Sequence, residues 1–359
     1  MPEVCTVLMM AGGTGGHVFP ALAVARELRD AGMTVQWLGT ARGIESELIP
    51  AAGLPLHCLD ITGLRGKGVT GLLAAPLRII RAVWQARRII KRIKPDVVVG
   101  FGGYATGPGG VAARLAGVPL IIHEQNAIAG LTNRLLSRIS QRVLQAFPGA
   151  LPGAVRVGNP VRQDVVALPA PAERWAGREQ EPLRVLVVGG SLGAVGLNAI
   201  VLQAMQTLPP EQRPQLRHQA GKNNAVALQQ QYQAAGIEAE VLPFIDDMAA
   251  AYAWADLVVC RAGALTVAEV AAAGCAALLV PFPFAVDDHQ TANARYLADQ
   301  QAALLQQQKE LDGQKLAAVW QQFAGHKNEL QAMAERARAL AITTATQSVV
   351  QHIKGFCRG

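Results

Sequence analysis

The chain has 359 residues, 51% of them apolar and 16% charged, with 33 Lys and Arg against 26 Asp and Glu for a formal net charge of +7. That apolar fraction excludes a disordered chain, and the length points to about two domains, each large enough for its own core. The positive balance leaves three partner classes open: nucleic acid, an anionic membrane surface or an anionic substrate.

The opening MPEVCTVLMMAGG carries Glu3, lacks a basic start and reaches glycines early, so it reads as a first strand over 4–11 and not as a signal peptide. A helix over 18–31 follows, then a strand over 35–39 and a helix over 43–52. A basic helical stretch over 72–93 precedes KPDVVVGFGG (94–103), a helix over 106–116, the strand VPLIIHE (118–124) and a helix over 129–138. QRVLQAF (141–147) and AVRVGNPV (154–161) end this half. The pattern then restarts. PLRVLVVGGSLGA (182–194) repeats the layout of VCTVLMMAGGTGG (4–16). ADLVVCRAGALT (255–266) and GCAALLVPFPFAVDDHQ (274–290) echo the segments at 95–106 and 117–130, at offsets of 160 and 157 residues. Continuous apolar strands joined by helices mean parallel sheets covered on both faces. The reading is an α/β chain of two doubly wound, Rossmann-like domains facing across a cleft, with ligands beyond the carboxyl ends of the strands. The boundary is placed at 162/163, and Pro169, Pro171 and ERWAGREQEP read as a linker.

The five cysteines, Cys5, Cys58, Cys260, Cys275 and Cys357, show no C-x-x-C spacing. This argues against a disulfide framework and a zinc site, and fits a reducing cytoplasm. The longest uncharged runs, 97–113 and 270–286, are broken by Gly and Pro. Both fall short of the roughly 20 residues of a membrane-spanning helix, so membrane contact is expected to be peripheral.

Gly12-Gly13-Thr14-Gly15-Gly16-His17 and Gly189-Gly190-Ser191-Leu192-Gly193-Ala194 stand in matched places between strand and helix. Such turns let backbone N–H groups approach an anion at a helix start. Neither fits G-x-G-x-x-G, the second strand ends without an acid, and no P-loop or D-x-D pair exists. Diphosphate charge is therefore expected to meet helix ends, amides and Arg, with no metal or cofactor. Arg261–Glu269 turns on Gly263 and should start a helix near Thr266, a phosphate seat with Glu269 in reach of a ribose diol. His123-Glu124-Gln125-Asn126 ends a buried-type strand, where four polar residues suit a solvated site better than a core network. His17, beside the first glycine turn, is the candidate general base and Glu124 the runner-up.

Together GGTGGH (12–17), GFGGYATGPGG (100–110), HEQNAIAGLTNR (123–134), GNPVR (158–162), GGSLGA (189–194) and CRAGALTVAE (260–269) resemble the MurG family of glycosyltransferases. They run in family order over nearly the whole chain. The resemblance implies the glycosyltransferase B fold, with the last helix (341–359) packing back on the first domain. It also implies inverting transfer of N-acetylglucosamine from UDP-N-acetylglucosamine to the C4 hydroxyl of a lipid-linked muramyl pentapeptide in peptidoglycan synthesis. Carried over by motif, Arg162 and Ser191 would contact the sugar nucleotide and the backbone of Ile245 the uracil. Ala264, Leu265 and Thr266 would meet the diphosphate, Glu269 the ribose and Gln290 the sugar hydroxyls. Thr14, Gly15, Gly16, His17, Tyr104 and Asn126 would face the acceptor and the transferred sugar. His289-Gln290 departs from the family's two adjacent Gln. The alternative is another UDP-N-acetylglucosamine enzyme of this fold, such as a 2-epimerase.

Residues 61–100 hold nine basic residues against Asp96, a local charge of +8 that leaves −1 for the rest of the chain. On a helix, Ile79, Val83, Ala86, Ile90 and Ile93 share an inward stripe. Leu73, Leu77, Ile80 and Trp84 form a second stripe flanked by Arg81, Arg87, Arg88 and Lys91. An apolar stripe ringed by cations suits an anionic membrane surface, and with the lipid-linked acceptor that the resemblance implies, that surface is expected to be the cytoplasmic face of the bacterial inner membrane. Nucleic acid is not expected, because only Trp84 lies among the nine cations. Other cell-wall synthesis proteins are further expected partners.

Overall fold

The computed structural model describes residues 4–61, 75–178, 180–190 and 193–357. Ser191 and Leu73 lie outside the described residues. Two compact units appear, Met1–Val161 with Ile342–Gly359, and Arg162–Ala341. In the first, β1 (Thr6–Ala11), β2 (Thr34–Thr40), β3 (Leu56–Leu59), β4 (Val97–Gly102), β5 (Leu120–Glu124), β6 (Arg142–Gln145) and β7 (Val155–Arg156) form one sheet. Its order is β3-β2-β1-β4-β5-β6-β7. In the second, β8 (Arg184–Val188), β9 (Gln215–Gln219), β10 (Glu240–Leu242), β11 (Leu257–Cys260), β12 (Ala276–Leu279) and β13 (Leu304–Leu305) run β10-β9-β8-β11-β12-β13. Every strand pairing described is parallel.

The apolar runs do what a doubly covered sheet requires. Val7, Met9 and Ala11 face a core shared with helix Gly15–Asp30 and the C-terminal helix Ala345–Lys354. Leu8 and Met10 face the opposite core, under helix Ala75–Ile93 and helix Thr106–Leu115. This is the two-residue alternation of a strand with both faces buried. In each sheet the order reverses once, at β1/β4 and at β8/β11. Those reversals are where such sheets leave a crevice beyond the strand ends.

Four expectations change. Residues 171–178 are not a linker: Trp175 is buried in the second core and Arg178 pairs with Asp256 at 2.6 Å. Of the charges that suggested a linker, Arg178 joins the buried Asp256 and Arg174 donates to the carbonyls of Tyr252 and Ala273. Cys5 and Cys357 form a disulfide, 352 residues apart in sequence. No local spacing announces it; the pair forms because helix Ala345–Lys354 returns onto helix Gly15–Asp30, within one core. Ile79 is 39% exposed rather than inward, because Ala75, Ala82, Ala86 and Ile90 line the buried side. The helix after Gly263 begins at Ala264, which places Thr266 in its first turn rather than at its cap.

Candidate active-site residues in the two units

In the first unit the turn after β1 opens with Gly12 and Gly13, and Gly13 has φ +88°. Gly103, after β4, leaves no room for a side chain: a Cβ there would lie 2.2 Å from the Gly12 carbonyl oxygen. Two glycine turns thus close on each other at the switch point. Helix Gly15–Asp30 starts with no side-chain cap, leaving first-turn N–H groups of Gly15 and Gly16 without helical partners. Thr14 is exposed, and Gly15, Gly16 and His17 are half-buried. Gly102, with φ +106°, lies against the His17 ring, where an added Cβ would meet Nδ1 at 2.8 Å.

Glu45 is a residue that the motifs did not reveal. Fully buried, it accepts from Gly13 N–H at 2.9 Å through Oε2, and from Thr40 N–H and Oγ1–H at 3.1 and 2.7 Å through Oε1. It fixes the first glycine turn from beneath.

The polar end of β5 is more internal than its sequence suggests. His123, Glu124 and Gln125 are all at most 2% exposed. Glu124 Oε1 accepts from Asn126 N–H (2.9 Å) and Nδ2 (3.3 Å), and Oε2 from Gly130 N–H (3.1 Å) and Asn133 Nδ2 (2.9 Å). Its carboxylate holds the 126–133 loop in shape through these four hydrogen bonds. The solvated cluster expected here is instead a satisfied network. His123 stacks on Phe101 at 5.0 Å, and burial pulls its imidazole down to about 4. His17 Nδ1 is 2.9 Å from Gln125 Oε1. Tyr104 stands 53% exposed after Gly103.

In the second unit the turn after β8 repeats the first, with Gly190 at φ +89°. Here Gln219, at the end of β9, takes the place that Glu45 has in the first unit. Its Oε1 accepts from Gly190 N–H at 3.1 Å, and its Nε2 donates to the carbonyls of Gly190 (3.0 Å) and Pro243 (3.2 Å). That amide joins the glycine turn to the strand end carrying Ile245, which is 9% exposed. A neutral amide suits a turn meant for an anion, whereas a carboxylate at the equivalent turn repels one. Sequence spacing gives no sign of either partner.

Helix Ala264–Ala273 starts at Gly263, again with no side-chain cap. The N–H groups of Ala264, Leu265 and Thr266 sit in its first turn, the positive end of the helix dipole. Five residues on, Glu269 is 5% exposed and salt-bridged to Arg162 at 3.1 Å, while Tyr252 donates its hydroxyl proton to the other carboxylate oxygen at 3.1 Å. Burial raises the Glu269 carboxyl above its ordinary value, and the Arg162 guanidinium opposes that rise. Gln290 Oε1 accepts from Phe282 N–H at 2.8 Å, which orients the side-chain amide. Asp287 and Asp288 both hold left-handed backbone (φ +52° and +50°), a costly conformation for residues with side chains. His289 follows them as the first residue of helix His289–Ala298.

Outside both switch points, Leu77, Ile80 and Trp84 are 73%, 54% and 60% exposed on helix Ala75–Ile93, joined by Ile79. Arg88 and Lys91 are exposed, and Arg81 pairs with Asp60 at 3.5 Å. No acid lies in the helix between 75 and 93. Among the described residues no helix is long and apolar enough to cross a membrane.

The chain is similar to known proteins throughout. The glycosyltransferase family 28 N-terminal domain matches residues 7–145, and the family's C-terminal domain matches residues 184–353. A UDP-N-acetylglucosamine--N-acetylmuramyl-(pentapeptide) pyrophosphoryl-undecaprenol N-acetylglucosamine transferase of Ectopseudomonas mendocina is 55% identical over 98% of this chain and 99% of its own length. A protein of the same name from Aeromonas hydrophila is 56% identical over 99% of this chain and 98% of its own. The crystal structure of Acinetobacter baumannii MurG superposes with a TM-score of 0.82 at 46% identity, covering 98% of this chain and 99% of that one.

Proposed function

The chain belongs to glycosyltransferase family 28 and to its MurG members, and from that premise we propose how its residues divide the work. It is a glycosyltransferase of the B-type fold that moves N-acetylglucosamine from UDP-N-acetylglucosamine to the lipid-linked muramyl pentapeptide of peptidoglycan synthesis. The full-length identity of 55% to a transferase named for that reaction carries this reading. The assay is UDP release with and without the lipid-linked acceptor. Release only with acceptor is expected; release without it supports a 2-epimerase instead.

On this reading the second unit binds the donor. Ala264, Leu265 and Thr266 direct backbone N–H groups at the diphosphate, Arg162 adds charge, and the Ile245 backbone reads the uracil. Ser191 contacts the sugar nucleotide and Gln290 the sugar hydroxyls. Glu269, held by Arg162 and Tyr252, accepts from the ribose diol. No metal or other cofactor enters these roles. Hydrogen bonds to a charged group contribute about 1.5–3 kcal/mol. Glu269→Ala is therefore expected to raise the donor KM roughly tenfold or more, with a smaller change in kcat. An unchanged donor KM overturns the ribose role.

The first unit supplies the acceptor side: Thr14, Gly15, Gly16, Tyr104 and Asn126 frame the reacting sugar, and His17 takes the proton of the attacking hydroxyl. The exposed face of Leu77, Ile80 and Trp84, with Leu73, Arg81, Arg88 and Lys91, docks on anionic lipid at the cytoplasmic face of the inner membrane. Other proteins of cell-wall synthesis meet the enzyme there, and nucleic acid is not a partner. Co-sedimentation with anionic liposomes is expected to exceed that with neutral ones and to weaken as salt rises. Equal binding to both removes the docking assignment.

A further inference from the structure

The hydrogen bonds behind His17 form a chain with only one consistent direction. It starts at the Gly158 carbonyl, which can only accept, and lies 2.9 Å from His123 Nε2. His123 Nε2 therefore carries the proton. In a neutral imidazole the other nitrogen is then a bare acceptor. Burial keeps His123 neutral at neutral pH, because its imidazole is pulled down to about 4. Gln125 Nε2 lies 3.0 Å from His123 Nδ1 and 3.0 Å from the His123 carbonyl oxygen. Two acceptors there settle which end of the amide is nitrogen. The Gln125 oxygen consequently faces His17 Nδ1 at 2.9 Å and can only accept from it. His17 must carry its proton on Nδ1, which leaves Nε2 bare.

We infer that Gln125 and His123 are positioning residues that lock His17 in the tautomer whose Nε2 is free to accept a proton. This rests on the assignment of His17 as general base. In the reaction Nε2 takes the proton of the attacking hydroxyl as its oxygen bonds to the anomeric carbon. The bond from that carbon to the diphosphate breaks, and UDP departs with the electron pair. The resulting imidazolium keeps its Nδ1–H bond to a neutral amide oxygen. A carboxylate orients imidazole in the Ser-His-Asp arrangement; here an amide does so, and its own direction is set by a second, neutral histidine. Phe101 stacks on His123 and holds that ring in place.

The test uses the full-length enzyme labelled with 15N at histidine. His17 signals are identified by their loss in His17→Ala. In the wild type they are expected to show a protonated Nδ1 and a bare Nε2; a protonated Nε2 overturns the proposal. Gln125→Leu keeps volume in a site that is 1% exposed. It is expected to shift His17 toward the Nε2–H form and to lower kcat about 10- to 100-fold, within the range of general-base effects, with donor KM within about twofold. Unchanged kcat in the folded variant, or kcat and KM worsening together with a lower Tm, overturns the positioning role. A wild-type kcat in His17→Ala overturns the base assignment instead, and is separable because the Nδ1–H signal of the wild type is measured without turnover.

Discussion

Replacing His17 with alanine is expected to lower kcat by about 10²–10⁴, the usual contribution of a placed general base. The magnitude follows from how few groups at this end of the sheet can take a proton. His123 is fully buried and bonded at both nitrogens. Glu124 is 2% exposed with four donors on its two oxygens. Glu45 is fully buried and committed to Gly13 and Thr40. His17 is half-buried on the first turn of helix Gly15–Asp30, just beyond the carboxyl end of β1. It is less buried than those groups and is fixed on one side by Gln125. Because the donor residues lie in the other unit, donor KM is expected to stay within about twofold, as it does when an interaction made only in the transition state is lost. Steady-state kinetics with both substrates varied decides this. A kcat near wild type returns the search for the base to the other polar groups.

Much of the architecture was legible because it depends on local signals. Apolar runs such as VLMM and VLVV ending in glycines read as buried parallel strands leading into turns, and the same layout at 4–16 and 182–194 shows the doubling. The residues that shape the turns were not legible. Glu45 reaches Gly13 across 32 positions, and Gln219 reaches Gly190 across 29. Nothing in either residue's own neighbourhood marks it. Gln125 stood inside a motif, yet its part depends on the relation of His17, 108 positions away, to His123. The reading of HEQN as a solvated cluster failed for a definite reason. Polar residues at a strand end can satisfy one another when a loop folds back to meet them, as Asn126, Gly130 and Asn133 do for Glu124. The linker reading of 171–178 failed in the same way, since a charged run is not solvated when its partners wait in a core.

Those partners support the second large effect, on stability. Asp256 is 1% exposed just before β11. Its Oδ1 accepts from Arg178 Nη2 at 2.6 Å. Its Oδ2 accepts from Arg184 N–H at 3.0 Å and lies 3.3 Å from Lys327 Nζ, whose side chain is 7% exposed. Asp96 holds the equivalent place before β4 and accepts from Thr6 N–H at 2.8 Å, so the backbone contact is part of the repeat. The two cations, the half-buried Arg178 and the buried Lys327, are particular to the second unit. Asp256→Ala leaves Lys327 with only the Arg178 and Pro182 carbonyls and Arg178 with Glu181 at 3.8 Å and the Trp254 carbonyl, and removing one member of a buried ion network costs about 3–5 kcal/mol. Urea unfolding followed by a probe in the second unit, such as Trp320 fluorescence, is expected to show that loss. Replacing Asp256 and Lys327 together with apolar residues is expected to recover part of it, because the paired removal takes away the cation that Asp256→Ala leaves buried without a counter-ion. The network sits at the amino ends of β8 and β11, whereas Glu269 and the glycine turn lie beyond their carboxyl ends. Donor KM of the folded variant should therefore stay near wild type. A large rise in donor KM with unchanged unfolding would mean that Asp256 acts on the nucleotide site rather than on the core.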